Sequence, residues 1–236
     1  MKSKAKSLPA FVWDNFRLQG RDFLSYPLIV CGGWTVVMAL LAIIAAVAGD
    51  SDIFGVGIPG VLAVAFAVLL AFVQAYSRIW LEFKIGVQLS VPRRRMLTAE
   101  IMLSLATAVV CLAAAWLLDG LWLWAARAMG VQVEPLLSHM PLWGWGLALL
   151  LPVALGSAGG AIVLRFGSKG GWVLYGIFMV CMLCLGEGID RIETAFEMQI
   201  PWAQLLVTAL PYLGFALAAA ALYAAVVLLW RVPVND

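Results

Sequence analysis

Charge is scarce in this chain. Lys, Arg, Asp and Glu make up 12% of its 236 residues, about half the share of an ordinary soluble domain, so it cannot clothe a water-facing surface of normal composition. Histidine is scarcer still: His139 is the only one, which excludes an HExxH helix and any histidine-rich metal site. No glycine is followed by lysine, and RFGSKGG at 165–171 lacks the GxxxxGKS/T spacing, so the chain has no P-loop in which to cradle ATP. The four cysteines, Cys31, Cys111, Cys181 and Cys184, all lie in apolar segments, where a thiol behaves as a small hydrophobe. Cys181 and Cys184 form a CxxC, but Met179, Met182 and Leu183 surround it and no second pair or histidine is near, so it reads as packing rather than metal or redox chemistry. The net charge of +2 is small and unevenly placed. It reports orientation, and no nucleic-acid role is assigned.

What the chain has in abundance is apolar surface. Hydrophobic residues make up 64% of it and the mean hydropathy is +1.01. At about 20 apolar residues per crossing, this length accommodates roughly six membrane spans and leaves no room for a separate aqueous domain. The expected fold is all-α, a polytopic membrane protein with six transmembrane helices over 28–230. An N-terminal segment, 1–27, precedes them and a short tail, 231–236, follows. The spans are expected near 28–48, 58–79, 99–124, 142–164, 172–188 and 205–230.

The N-terminal segment is basic, but the first span is long and lacks a small-residue cleavage site, which argues against a removed signal peptide. Trp13, Phe16 and Phe23, with Arg17 and Arg21 beside them, suit an amphipathic helix lying in the membrane interface; a basic leader is the alternative. Gly55 to Gly60 match GxGxxG literally, but a proline interrupts the motif and no strand precedes it, so no dinucleotide site follows. Residues 189–204 are acidic, with Ile192, Phe196 and Ile200 at a four-residue repeat, and read as a short helix on the outer face or as a loop. Counting bases orients the chain. Thirteen (Lys2, Lys4, Lys6, Arg17, Arg21, Arg78, Lys84, Arg93, Arg94, Arg95, Arg165, Lys169 and Arg231) fall on one side, and only Arg127 and Arg191 on the other. The positive-inside rule then places both termini in the cytoplasm.

The longest charge-rich interval between spans is Arg78 to Glu100, RIWLEFKIGVQLSVPRRRMLTAE. Ile79, Leu81, Phe83 and Ile85 among Glu82, Lys84 and Gln88 read as a short amphipathic helix that Pro92 ends. Its arginines either fix topology alone or form a docking surface for a soluble partner, with Glu82, Lys84, Arg93, Arg94 and Arg95 as the contacting charges. Three acids lie close to hydrocarbon: Glu100, expected to pair with Arg93 to Arg95, and Asp119 and Glu187, expected at the outer interface. Gly156 and Gly160 form a GxxxG suited to close helix packing. Ser104, Thr107 and Ser157 have no histidine partner, so no catalytic set is expected, and no cofactor or metal site either.

Three of these features together resemble the membrane subunits of type-2 ABC exporters, in particular the small six-span permeases of Gram-positive bacteria. They are the basic N-terminal segment, the sequence Gln88 to Met96 after span two, which resembles that group's cytoplasmic "gxSRrxf" element, and the turn within LRFGSKGGWVLYGIF, 164–178. Here Val91 and Pro92 stand between the serine and the arginines, a departure from that pattern. The resemblance implies a permease in the bacterial plasma membrane, paired with a second permease, identical or paralogous. ATP and Mg would be bound by a separate ABC ATP-binding subunit. Residues 80–98 would be the cytoplasmic coupling region, and the cargo an amphipathic peptide, drug or lipid-like compound. The basic cluster would also attract membrane lipid. The readings from other classes are a non-transporting membrane scaffold or sensor subunit, and a proton-driven carrier.

Overall fold

The computed structural model describes residues 8–18, 25–26, 28–38, 40, 58–88, 91–128, 136–180 and 201–230. Among them there is no strand. Hydrocarbon offers no partner to backbone N–H and C=O groups, so an apolar chain pairs them within each segment as helix. The elements are α1 (Leu8–Leu18), α2 (Leu28–Met38), α3 (Ile58–Ser77), a π-helical turn (Arg78–Glu82), α4 (Phe83–Gln88), α5 (Arg93–Ala128), a 3-10 turn (Leu136–His139), α6 (Leu142–Phe166), α7 (168–180) and α8 (Pro201–Trp230). Among the described residues four helical stretches are long and apolar enough to cross a membrane: Pro59–Gln88, Arg93–Ala128, Leu142–Phe166 and Thr208–Trp230.

Helix α6 is the hub. It packs on α3, α5 and α8, and 56% of its most apolar stretch is buried, against 22% for α8. The bundle closes on small residues. On α3 the fully buried side chains include Pro59, Ala63, Ala67, Ala71 and Ala75, followed beyond its end by Ile79 and Phe83. A strict four-residue step overshoots one helical turn by about 40°, so the alanines wind roughly 120° around α3 between Ala63 and Ala75. The winding explains how one stripe serves two partners. Ala63 and Ala67 pack with Cys111, Leu112 and Ala115 of α5. Ala71 and Ala75 meet both Ala108 of α5 and Val153 of α6. Ile79 and Phe83 join Ala154, Ala158 and Ala161 of α6.

Gly156 and Gly160 face that stripe. A β-carbon at Gly156 would collide with the Phe72 carbonyl oxygen, and one at Gly160 would lie 2.7 Å from that of Tyr76. The α3 and α6 backbones are therefore nearly in contact there. At the far end of α6 the chain reverses at Gly167, whose φ of 61° is a left-handed value that side chains resist.

Several boundaries differ from the sequence reading. The third apolar helix spans Arg93–Ala128 rather than 99–124, so the arginines form its first turn. The short helix expected before Pro92 is present, as Phe83–Gln88, but it continues α3 through the π turn instead of standing apart, and Gln204 lies in α8, which begins at Pro201. Helix α1 rests Phe11 and Val12 against Ala99 and Leu103 of α5. The segments 1–7, 41–57 and 181–200, with Cys181, Cys184, Glu187 and the acidic repeat, lie outside the described residues, as do Arg21 and Phe23.

Gly156→Val is expected to destabilise the protein by about 1–3 kcal/mol through overpacking. Gly120→Ala, with nothing within 4 Å of the new methyl, is expected to cost nothing. Thermal unfolding in detergent compares the two, and equal midpoints would contradict the close α3–α6 contact.

A candidate functional site at the arginine end

The π turn sets the site. Its widened ring closes with the Phe83 N–H donating to the Arg78 carbonyl, and the extra residue shifts the buried face. Two consecutive side chains thus point inward: Arg78 toward α5, and Ile79 toward Gly160 of α6. Arg78 is 1% exposed. Its Nη1 lies 3.7 Å from Oε2 of Glu100, also 1% exposed, and 3.7 Å from Oε2 of Glu82. Glu82, with a side chain 38% exposed, links the buried pair to the surface.

Other polar atoms share this level. Val153 and Ala108 belong to one buried cluster. One turn on from Val153 is Ser157, and one turn back from Ala108 is Ser104, so the two serines stand at the same height on α6 and α5. Both are buried, and neither hydroxyl has a hydrogen-bond partner among the described residues. Thr107 donates to the Leu103 carbonyl at 3.0 Å. A guanidinium, one carboxylate and two unbonded hydroxyls therefore occupy an interior lined by alanine, glycine and aliphatic side chains, with a second carboxylate, Glu82, at its edge. Ionisable groups in such surroundings are expensive to bury and mark function more often than packing. Among the described residues no three His, Cys, Asp or Glu side chains converge as a metal site would require.

The charges singled out by sequence are divided. Lys84 and Arg94 are exposed, whereas Glu82, Arg93 and Arg95 are half-buried. Arg93 donates through Nη1 to the last carbonyl of α8, that of Trp230, at 3.1 Å. Arg94 lies over the Trp230 ring, 4.6 Å from its centroid. Cations at a helix C-terminus are favourable, so this pair fastens the start of α5 to the end of α8. The turn beneath closes through Val91 N–H donating to the Gly86 carbonyl at 3.1 Å, with the Met96 sulfur 2.7 Å from where a β-carbon would sit on Gly86.

Three expectations are corrected. Glu100 pairs with Arg78 and not with Arg93 to Arg95; the seven-residue step from Arg93 to Glu100 rises about 10 Å along the helix. Arg78 is a buried side chain, not a loop base. Asp119 is 6% exposed rather than at a wet interface: its carboxylate packs against Gly60 in the first turn of α3, where unpaired N–H groups and the helix dipole favour negative charge. Sequence reasoning missed the Arg78–Glu100 pair. The available signal was a lone arginine directly after an alanine stripe.

These features define a helical membrane protein with a buried ion cluster near one end of its bundle. No protein-family model, curated protein or solved structure matches the chain.

Arg78→Leu, which strands Glu100, is expected to cost about 3–5 kcal/mol, while Arg78→Leu combined with Glu100→Leu should recover most of that loss. A double-mutant cycle on unfolding in detergent measures it. Additive losses would show that the two residues do not act as a pair.

Proposed function

We propose that this chain is the six-span permease subunit of an ATP-driven ABC exporter in a bacterial plasma membrane, with an interfacial N-terminal helix and both termini cytoplasmic. It moves an amphipathic peptide, drug or lipid-like compound outward, with ATP and Mg held by a separate ATP-binding subunit and a second permease, identical or paralogous, completing the pathway. The chain itself contributes no catalytic residue. The observation that carries the reading is the helical hairpin formed by α3, α4 and α5. Its tip exposes Lys84, Ile85 and Arg94, and just below the tip Arg78 and Glu100 tie its two arms together. A partner pressing on such a tip tilts both arms as one body, which is what coupling ATP hydrolysis to transport requires. The basic bias of this end supports placing it in the cytoplasm. The resemblance of residues 88–96 and 164–178 to type-2 exporter permeases supports the class, and fold-level analogy alone would not.

A second reading has one observation in its favour. The buried Arg78–Glu100 pair, touched by the partly exposed Glu82, has the composition of an ion-coupled carrier's relay. The two readings separate cleanly. Purified from its native host, the exporter subunit brings with it a stoichiometric ATPase. Charge reversal at Lys84 and Arg94 is expected to abolish nucleotide-dependent transport in vesicles, by tenfold or more, while membrane insertion is retained. No associated ATPase, together with uptake driven by a proton gradient and lost in Glu100→Gln, would replace the exporter by the carrier.

A further inference from the structure

Beside the Arg93–Trp230 contact, α5 and α8 part to leave a groove of about 580 Å³. Its two ends differ in chemistry. At the mouth stand Arg93 and Arg94 with Thr98, and the floor is Leu97, Ile101, Met102, Val226 and Leu229. Among the described residues no acidic side chain lines it, and the first turn of α5 contains none.

Both arginines are held in place with donors to spare. Arg93 commits one Nη1 hydrogen bond to the Trp230 carbonyl, out of the five N–H donors of a guanidinium. Arg94 uses its face on the Trp230 ring, and among the described residues its N–H edges, in the plane of the group, meet no hydrogen-bond partner. Because Trp230 ends a membrane-length helix, this mouth lies where tryptophan and arginine side chains meet lipid headgroups.

From this charge complementarity we infer that the groove binds one anionic phospholipid, its phosphate between Arg93 and Arg94 and an acyl chain along the Ile101, Met102 and Val226 floor. The membrane supplies such a molecule laterally. A soluble phosphate would satisfy the mouth but leave the floor wet. The inference depends on the chain crossing a membrane and not on the exporter reading.

Native mass spectrometry of the detergent-purified full chain tests it, with phosphatidylglycerol and phosphatidylcholine of equal acyl length as probes. One phosphatidylglycerol per chain is expected, bound at least tenfold more tightly than phosphatidylcholine and not displaced by glycerol phosphate. Arg93→Gln with Arg94→Gln should weaken it about thirtyfold. Removing two charges elsewhere, through Arg165→Gln with Lys169→Gln, should leave it unchanged. Met102→Trp alters only the floor, at a side chain already 53% exposed, and should reduce binding of the lipid without unfolding the protein. Equal binding of the two lipids, or full retention in the Arg93 and Arg94 double variant, would overturn the site and assign the groove to another part of the chain or to a second copy. Displacement by glycerol phosphate would overturn the lipid and leave a free-phosphate site.

Discussion

A guanidinium with no access to water is the constraint on which this bundle depends. Arg78 cannot shed its charge, so helices near it must supply compensation or pay several kcal/mol. Glu100 supplies it from α5 and Glu82 from the same turn of the π segment. That requirement fixes the register of α3 against α5. It also turns Ile79 onto α6, because the widened turn presents both neighbours to the interior. The winding alanine stripe above is consistent with this one alignment, and a slide of α3 by one turn would part Arg78 from Glu100; the Arg93–Trp230 fastening separately ties α5 to α8.

Packing and polarity work side by side along the helices. Toward the Asp119 end Ala63 and Ala67 lie against α5, and the Asp119 carboxylate packs on Gly60 in the first turn of α3. Toward the arginine end, directional polar contacts join the close glycine packing of α6: the ion cluster and the arginine grip on α8. In lipid, where water drives no helix association, dense small-residue contact and polar pairing are the forces available. The molecule combines both at the arginine end.

How much of this was legible in sequence depends on the kind of signal. The long apolar runs that become α3, α5, α6 and α8 are plain in composition, and the close-packing value of Gly156 and Gly160 is plain in their spacing. Helix boundaries at the arginine end are less so. Arg93 to Arg95 look like loop residues because hydropathy falls there, yet helix resumes directly after Pro92. The Arg78–Glu100 pair was out of reach because charge counting treats every base as interfacial, and nothing in composition announces a π turn. The burial of Asp119 is hidden for a related reason: it packs against Gly60 in the first turn of α3, a placement with no sequence signature. The alanine stripe was fully written in residues 63–75, but its meaning appears only once two different helices are known to line it.

The buried pair has a consequence for how the protein is made. Arg78 emerges from the ribosome before Glu100, with only the partly exposed Glu82 in its own segment to offset it, and a buried arginine is costly to carry into lipid. Insertion of α3 together with α5 lowers that cost, because Arg78 and Glu100 then enter as a charge-matched pair. The contact that aligns the finished bundle therefore bears on how its helices enter the membrane.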